Sequence, residues 1–294
     1  MAYFYFLFIC AVWGSNFLLM KYALLAFGPI SVGACRVVGG ALTLAAVWYV
    51  HHRHWPALDG HLRPMLFVVA MGYIWPFTMQ PYLIGIHGSG FIGMMVCLVP
   101  LLTIVVSVPM LHVWPSPRQV IGVVGGFACM ALIAKDGSVR NVPWYDLLLA
   151  ISVPLNYAIS NTYIKKRFSK LPPLAMALLA LTITSGVLLP LAVGLNVAGR
   201  ESVAVTDALP LAVTAAIVLG ILGTGVTQLF FMKLVQEQGP LFAGMVTYLI
   251  PVVAVLLGWL NGEVVTRYQA FALVGVLLMV GVVQYKAAVP REPG

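Results

Sequence analysis

The sequence has very little charge. Only 8% of its 294 residues are charged, 62% are hydrophobic, and the mean hydropathy is +1.01. Soluble globular chains are about one quarter charged, so this composition excludes a water-soluble protein. At roughly 20 residues for each membrane crossing plus short turns, we expect about ten transmembrane helices and no soluble domain within this length.

Acidic residues are the scarcest charged type, and all eight fall in predicted loops or near the ends of predicted spans. They are Asp59, Asp136, Asp146, Glu201, Asp207, Glu237, Glu263 and Glu292. A carboxylate in the middle of the bilayer is costly and usually marks a proton relay or a cation site. The lack of one argues against a cationic-drug antiporter and against intramembrane enzymes with paired aspartates. We therefore predict a protein that is not an enzyme. If the chain is a carrier, the lack of such a carboxylate predicts facilitated or weakly proton-coupled transport.

The usual patterns of cofactor, metal and nucleic-acid sites are missing. The sequence has no glycine-rich phosphate loop, and its four cysteines lack CxxC spacing, so we expect them to be buried structural thiols. His51, His52 and His54 cluster in a loop beside Arg53, which is typical of a solvated interfacial patch. Basic residues are dispersed through short loops, a pattern of membrane topology. We expect no cofactor, no metal, no nucleic acid and no obligate protein partner; the predicted partners are the lipid bilayer and a small-molecule substrate.

Hydropathy and helix breakers predict an all-α integral membrane protein with ten spans. The spans lie near residues 3–25, 31–50, 65–86, 90–111, 118–134, 144–164, 173–195, 208–232, 241–260 and 267–287. The first is kept as a span because it lacks a basic n-region and a cleavage site. An even number of spans places both termini on one side. That side holds most of the sixteen basic residues: Arg53, Arg63, Arg118, Lys165, Lys166, Arg167, Lys170, Lys233, Lys286 and Arg291. We therefore predict cytoplasmic termini.

The second half of the chain repeats the first. At an offset of 151 positions, matched pairs are Gly88 and Gly239, Phe91 and Phe242, Gly93 and Gly244, Met94 and Met245, Leu98 and Leu249, and Pro100 and Pro251. At an offset of 144, they are Pro29 and Pro173, Lys21 and Lys165, and Trp13 and Tyr157. We predict two five-helix repeats, residues 1–134 and 144–287, with a linker at 135–143 and a short tail at 288–294. Because five is odd, the second repeat must be inverted in the membrane.

The fourth and ninth predicted spans each carry a glycine followed seven residues later by a proline. The pairs are Gly93 with Pro100 and Gly244 with Pro251. Proline kinks are often static features of membrane helices. As a symmetric set, these four residues are also placed to act as hinges. In an inverted repeat the halves can exchange conformations, so that one gate opens as the other closes.

These residues also carry a family resemblance. The segment AVWGSNFLLMKYA of the first span, the adjacent Cys35 and Arg36, and the glycine–proline pattern resemble the drug/metabolite transporter superfamily, in its ten-helix EamA-type branch. The resemblance covers essentially the whole chain, and within the branch it is greatest to bacterial aromatic amino-acid exporters of the YddG type. It implies an inner-membrane carrier with a central cavity between two five-helix halves. The cargo does not follow from the fold.

Polar and aromatic residues on helical stripes predict the lining of such a cavity. The predicted substrate-binding residues are Trp13, Asn16, Tyr73, Gln80, Tyr157, Ser160, Asn161, Thr224, Gln228 and Tyr248. Each residue alone could instead serve helix packing. Their concentration on faces related by the repeat favours a cavity. Lys21 and Arg36 lie in or near apolar spans, and they either snorkel to the interface or meet the carboxylate of a substrate.

Aromatic walls with a few amides and hydroxyls suit a substrate that has an apolar side chain and a zwitterionic end. We therefore expect a secondary carrier that exports amino acids, preferably aromatic or apolar ones, across the bacterial inner membrane by alternating access. One alternative keeps the fold and exports drugs or other small metabolites. The other is an intramembrane lipid-modifying enzyme, for which the sequence offers no recognisable nucleophile, acid–base pair or metal set.

Overall fold

All regular structure in the described part of the chain is helical, as predicted. The structure is a computed structural model, and it describes residues 1–52, 54–56, 60, 62–133, 142–201, 203–205, 207–244 and 246–284. Its ten helices are α1 (Ala2–Ala23), α2 (Pro29–His52), α3 (Leu62–His87), α4 (Ser89–Leu111), α5 (Pro117–Ile133), α6 (Trp144–Arg167), α7 (Pro173–Val197), α8 (Leu209–Gly220, Ile221–Val226 and Thr227–Gly244), α9 (Val246–Leu260) and α10 (Arg267–Gln284).

Within the described residues, seven helices, α1 to α4 and α6 to α8, are long and apolar enough to cross a membrane. Helices α9 and α10 are shorter apolar helices, and α5 has 17 residues. With one crossing for each helix, α1 begins and α10 ends at the same membrane face. We call this the terminal face and the opposite one the far face. The protein is thus an all-helical, multi-pass membrane protein.

The packing of the helices is related between the two halves. Helix α1 packs on α8 and α9, while α6 packs on α3 and α4. Helix α2 packs along α7, and α5 packs along α10. These relations stay the same when α1 to α5 are exchanged for α6 to α10. The side chains between α1, α4 and α9 form much of the largest hydrophobic core, which includes Phe17, Met94 and Ile250.

Helix α4 consists of two segments, Ser89–Met95 and Leu98–Leu111, separated by a turn at Val96 and Cys97. In a continuous α-helix, the N–H of residue 100 would donate a hydrogen bond to the carbonyl of Val96. Pro100 has no N–H, so this bond cannot form, and the turn begins at Val96. Pro100 itself is in the first turn of the second segment, where a missing N–H leaves no gap. The break therefore precedes the proline. Gly93 lies inside the first segment.

The connection between α8 and α9 is shorter than the predicted spans suggest. The eighth span was expected to end near residue 232, but α8 continues to Gly244 and α9 begins at Val246. Pro251 lies inside α9. Polar residues can continue a helix beyond the apolar stretch, because Gln and Glu are good helix formers.

One cysteine also differs from expectation, since Cys35 is exposed on the surface of α2.

Candidate functional site

A cavity of about 280 Å³ lies between the two halves and is lined by α1, α2, α3, α4, α6, α7, α8 and α9. Most of the predicted binding residues meet there. Those that line it are Trp13, Asn16, Tyr73, Gln80, Tyr157, Ser160, Asn161, Thr224 and Gln228. Residues from four separate predicted faces thus surround one space.

Two of the predicted site residues lie elsewhere. Tyr248 packs against the main hydrophobic core, and its neighbour Thr247 lines the cavity instead. Lys21 is ion-paired with Glu263 at 2.7 Å and is not part of the lining. Lys21 therefore neither snorkels alone nor faces a substrate in the cavity, because a carboxylate of the protein already holds it.

The lining also includes apolar residues beyond the predicted set. Phe231 belongs to it, and its ring centroid is 5.3 Å from that of Trp13. Phe231 is one helical turn beyond Thr227 and Gln228, so its position on their stripe could have identified it. Leu181 of α7 carries no polar signal, and only the packing of α7 against α2 brings it to the cavity.

Arg36 reaches the cavity from α2 and is only 9% exposed. Its Nε donates a hydrogen bond to Thr224 Oγ1 at 3.2 Å, and its Nη1 donates one to Gln80 Oε1 at 3.3 Å. Nη1 is also 3.8 Å from Met20 Sδ. The guanidinium carbon lies 4.1 Å from the centroid of the Phe77 ring, a cation–π distance. All these partners are neutral.

Among the described residues, the charge of Arg36 has no acidic partner. In the part of the chain that the structure describes, the two ion pairs are Lys21 with Glu263 and His87 with Asp146. Burying a cation without an anion costs several kcal/mol, and such residues inside membranes usually serve a ligand or an ion pathway. Arg36 is therefore the group in this cavity that is equipped to bind an anion.

Two π-helical turns face the cavity. One is Ala70–Ile74 in α3 and the other is Ile221–Val226 in α8, separated by the same 151 positions as the sequence repeat. Turns of this kind are rare and often occur at functional sites. Each contains a glycine of the lining, Gly72 or Gly223. The backbone irregularity thus recurs in both halves at the cavity wall.

Helix α1 is fastened to the π turn of α8. Asn16 Nδ2 donates to the carbonyl of Gly223 at 2.9 Å, and Trp13 Nε1 donates to Thr227 Oγ1 at 2.8 Å. A Cβ atom on Gly223 would lie 2.2 Å from Asn16 Oδ1, so only glycine allows this approach. At the related crossing, a Cβ atom on Gly72 would lie 2.2 Å from the hydroxyl oxygen of Ser160. Both cavity walls thus depend on helices that cross closely at glycine.

Polar contacts connect helix ends at the far face. The Glu263 carboxylate accepts hydrogen bonds from Lys21, from the backbone N–H groups of Ser89 and Gly90, and from the Ser89 hydroxyl. Burial alone would raise the pKa of Glu263, but these hydrogen bonds outweigh it and hold the pKa below its ordinary value. Glu263 is therefore ionised at neutral pH.

A second buried pair joins α3 to α6. His87 Nε2 lies 2.9 Å from Asp146 Oδ2, and Trp75 Nε1 donates to Ser152 Oγ at 2.8 Å. Asp146 lies in the first turn of α6, near the end of a span as predicted for this residue. Among the described residues, no group of three or more His, Cys, Asp or Glu side chains could hold a metal ion.

Comparison with known proteins gives relatives that span nearly the whole chain. The uncharacterised inner membrane transporter YedA of Escherichia coli K12 is 25% identical over 296 residues, covering 96% of this chain and 90% of YedA. The uncharacterised transporter YvbV of Bacillus subtilis is 29% identical over 189 residues, covering 62% of this chain and 59% of YvbV. A crystal structure with 18% identity superposes with a TM-score of 0.66 and 96% coverage of both chains, which supports the fold.

The family model agrees with these relatives. The model of the EamA-like transporter family matches residues 1–135 and 144–284. The names of the relatives and the family point to membrane transport rather than to catalysis. The narrower similarity to aromatic amino-acid exporters stays a prediction. Because both matched ranges together cover almost the entire chain, the protein belongs to the EamA-like transporter family.

Proposed function

We propose that this transporter is a secondary carrier that exports amino acids, preferably aromatic or apolar ones, across the bacterial inner membrane. The observation that carries the proposal is the unpaired guanidinium of Arg36 in an otherwise neutral cavity with aromatic walls. A substrate carboxylate would supply the anion that Arg36 lacks. A guanidinium offers a bidentate fork that matches a carboxylate.

The rest of the cavity suits the side chain of such a substrate. Five aromatic residues provide apolar ring surface, and the tryptophan and tyrosines among them also carry a polar group. They are Trp13, Tyr73, Phe77, Tyr157 and Phe231. The volume of about 280 Å³ lies near the lower end of the range for small-molecule sites. This favours an amino acid over a bulky drug or a dye.

Alternating access is the mechanism that we propose for this carrier. The sequence repeat, the paired π turns and the related helix packing support two halves that can exchange conformations. Because none of the described residues that line the cavity is a carboxylate, we expect facilitated transport or weak proton coupling. We further propose cytoplasmic termini, from the excess of basic residues at the terminal face.

The test is uptake of radiolabelled phenylalanine, tryptophan and threonine by liposomes that contain the purified protein, with and without an imposed pH gradient. We expect phenylalanine and tryptophan to enter until concentrations are equal, independent of the gradient. Phenethylamine, which has no carboxylate, should compete poorly. Competition by dyes or nucleotides that exceeds competition by phenylalanine would instead favour an exporter of drugs or other metabolites.

Arg36 variants test the binding role directly. Arg36→Gln should lower the initial uptake rate about tenfold or more, since a hydrogen bond to a charged group is worth about 1.5–3 kcal/mol. Arg36→Lys should retain part of the rate, because it keeps the charge and loses the fork. Arg63→Gln removes an exposed arginine at the start of α3 and serves as the matched control. Equal rates in Arg36→Gln and the control would contradict the proposal.

A further inference from the structure

One carboxylate of the second half holds two helices of the first half. Glu263 lies in the connection between α9 and α10 and reaches across the far face. It accepts hydrogen bonds from Lys21 Nζ at 2.7 Å, at the end of α1, and from Ser89 N at 3.0 Å, Ser89 Oγ at 2.8 Å and Gly90 N at 2.7 Å, at the start of α4. Both carboxylate oxygens are therefore engaged, and the side chain is 16% exposed.

The surrounding backbone is shaped to admit this carboxylate. A Cβ atom on Gly258 of α9 would lie 2.7 Å from Glu263 Oε2, and one on Gly90 would lie 3.1 Å from it. Beside it, the Tyr22 hydroxyl donates to Asn261 Oδ1 at 2.6 Å. The end of α1 is thus joined to the α9–α10 connection by two neighbouring side-chain contacts.

These contacts lie where the cavity is closed. The first segment of α4 packs on α9 and α1, while its second segment packs on α6 and α5. Among the described residues, α6 makes no comparable contact with the last segment of α8 or with α9. The two halves thus pack more closely on each other at the far face, where α1 and the first segment of α4 meet α9, than at the terminal face, where α6 faces α8 and α9. Glu263 therefore lies on the closed side of the cavity.

The sequence repeat gives this arrangement no acidic counterpart at the terminal face. At an offset of 151, the position of Glu263 corresponds to His112, and that of Ser89 corresponds to Pro240, which has no N–H to donate. Lys21 corresponds to Lys165 at the offset of 144. One face of the carrier thus has a lysine–carboxylate contact between the halves, and the related positions of the other face cannot form it.

We propose that Glu263 and Lys21 form the latch of the far gate, which must break whenever the cavity opens to the far face. The proposal rests on alternating access but not on the identity of the cargo. The latch favours the conformation that is open towards the terminal face. Glu263 acts here as a positioning residue, because it touches helices that move and not the substrate.

A purely structural cap of α4 is the competing explanation, and Glu201 provides the matched control for it. The Glu201 carboxylate accepts hydrogen bonds from Ile30 N at 2.9 Å, Ser31 N at 3.0 Å and Ser31 Oγ at 2.9 Å at the start of α2. It thus caps a helix as Glu263 does. However, α2 already packs along α7, so loss of this cap should not open the cavity.

The experiment measures access to the cavity from each membrane face. In a background with Cys10, Cys35, Cys97 and Cys129 replaced by alanine, Val99→Cys places one thiol in the cavity lining. A membrane-impermeant maleimide is applied to sealed right-side-out and inside-out vesicles, and the labelling rates are compared. Glu263→Gln, Lys21→Gln and Glu201→Gln are tested in this background, and the melting temperature of each purified variant is recorded.

We expect the parent to label mainly from the terminal face. Glu263→Gln should raise the labelling rate from the far face about tenfold, since a charge-assisted hydrogen bond shifts an equilibrium by a factor of that order. Lys21→Gln should raise it as well, and it decides the question if Glu263→Gln does not fold. Glu201→Gln should label like the parent.

Two results would overturn the latch. Unchanged far-face labelling in Lys21→Gln or in a folded Glu263→Gln, even with a lowered melting temperature, would make Glu263 a static cap. An equal rise in Glu201→Gln would indicate general loosening of the far face. Because labelling needs no substrate, failure of the amino-acid proposal would appear in uptake assays and leave this readout intact.

Discussion

The close crossing of α1 and α8 at Gly223 can be tested by adding a single methyl group. In Gly223→Ala, the new Cβ atom would lie 2.2 Å from Asn16 Oδ1 and 3.0 Å from its Cγ. Asn16 cannot simply rotate away, because its Nδ2 donates to the carbonyl of the same glycine at 2.9 Å. The methyl group must therefore push α1 away from the π turn of α8 or break this hydrogen bond.

The expected cost follows from these two effects. Inserting a methyl group into a packed site costs about 1–3 kcal/mol, and loss of the hydrogen bond adds about 0.5–1.5 kcal/mol. We expect Gly223→Ala to lose about 2–4 kcal/mol of stability and to melt several degrees lower in detergent. The double variant with Asn16→Ala should recover part of the loss, since the shorter side chain gives the methyl group room.

Gly186→Ala is the matched control for this prediction. Gly186 lies in α7, and a Cβ atom there would meet nothing within 4 Å. Alanine is a better helix former than glycine by up to about 1 kcal/mol, so this variant should melt at or above the temperature of the parent. If Gly223→Ala melted like Gly186→Ala, the close approach of Asn16 to the π turn would be refuted.

Three further predictions concern the other contacts of the site and the gates. The pKa of Glu263 is lower in the folded protein than its ordinary value of 4.5. Its stabilising effect is therefore complete above pH 4.5 and is lost as the pH falls through the folded-state pKa. On acidification, the melting temperature of Glu263→Gln should fall less than that of the parent. Trp13→Phe and Thr227→Val both remove the hydrogen bond from Trp13 Nε1 to Thr227 Oγ1, worth about 1 kcal/mol, and Thr227→Val also removes the bond that the Thr227 hydroxyl donates to the carbonyl of Gly223. Calorimetry should find the double variant less destabilised than the sum of the two single variants, and full additivity would refute the shared hydrogen bond. Pro251→Ala, at a proposed hinge, should slow transport more than it weakens substrate binding, and unchanged uptake rates would argue against the hinge.

Helical periodicity was sufficient to predict much of the cavity wall, because side chains three or four residues apart share a face. Trp13 and Asn16 on α1 and Thr224 and Gln228 on α8 were predicted in this way, and they meet in the cavity. Tyr248 was selected by its position between Gly244 and Pro251, and its neighbour Thr247 lines the cavity instead. Neighbouring residues on a helix face directions that differ by about 100°. Because α8 ends at Gly244 and α9 begins at Val246, the polar face of α8 does not predict which residues of α9 face the cavity.

Contacts between distant segments could not be predicted from periodicity. Lys21 and Glu263 are 242 positions apart, and neither lies on a stripe that indicates the other. The π turns were equally hidden, since a local change of hydrogen-bond pattern leaves no mark in hydropathy. Their glycines, Gly72 and Gly223, are 151 positions apart, which is the offset of the sequence repeat. The sequence therefore indicates that the two halves are alike at these positions, but not that each has a π turn there.

The unequal gates bear on the direction of transport. A latch cannot drive export, because a passive carrier only equalises concentrations and any bias acts on both directions of the cycle. What the latch between Lys21 and Glu263 changes is the fraction of empty carrier that is open to each face. The apparent dissociation constant at a face equals the intrinsic value divided by that fraction. A carrier that is mostly open to the terminal face when empty therefore binds best from that side.

If the termini are cytoplasmic, as we propose, the carrier captures amino acids inside the cell at low concentration and releases them outside, where rebinding is weak. A tenfold weaker latch should therefore lower the half-saturating substrate concentration at the far face and leave the final equilibrium distribution unchanged.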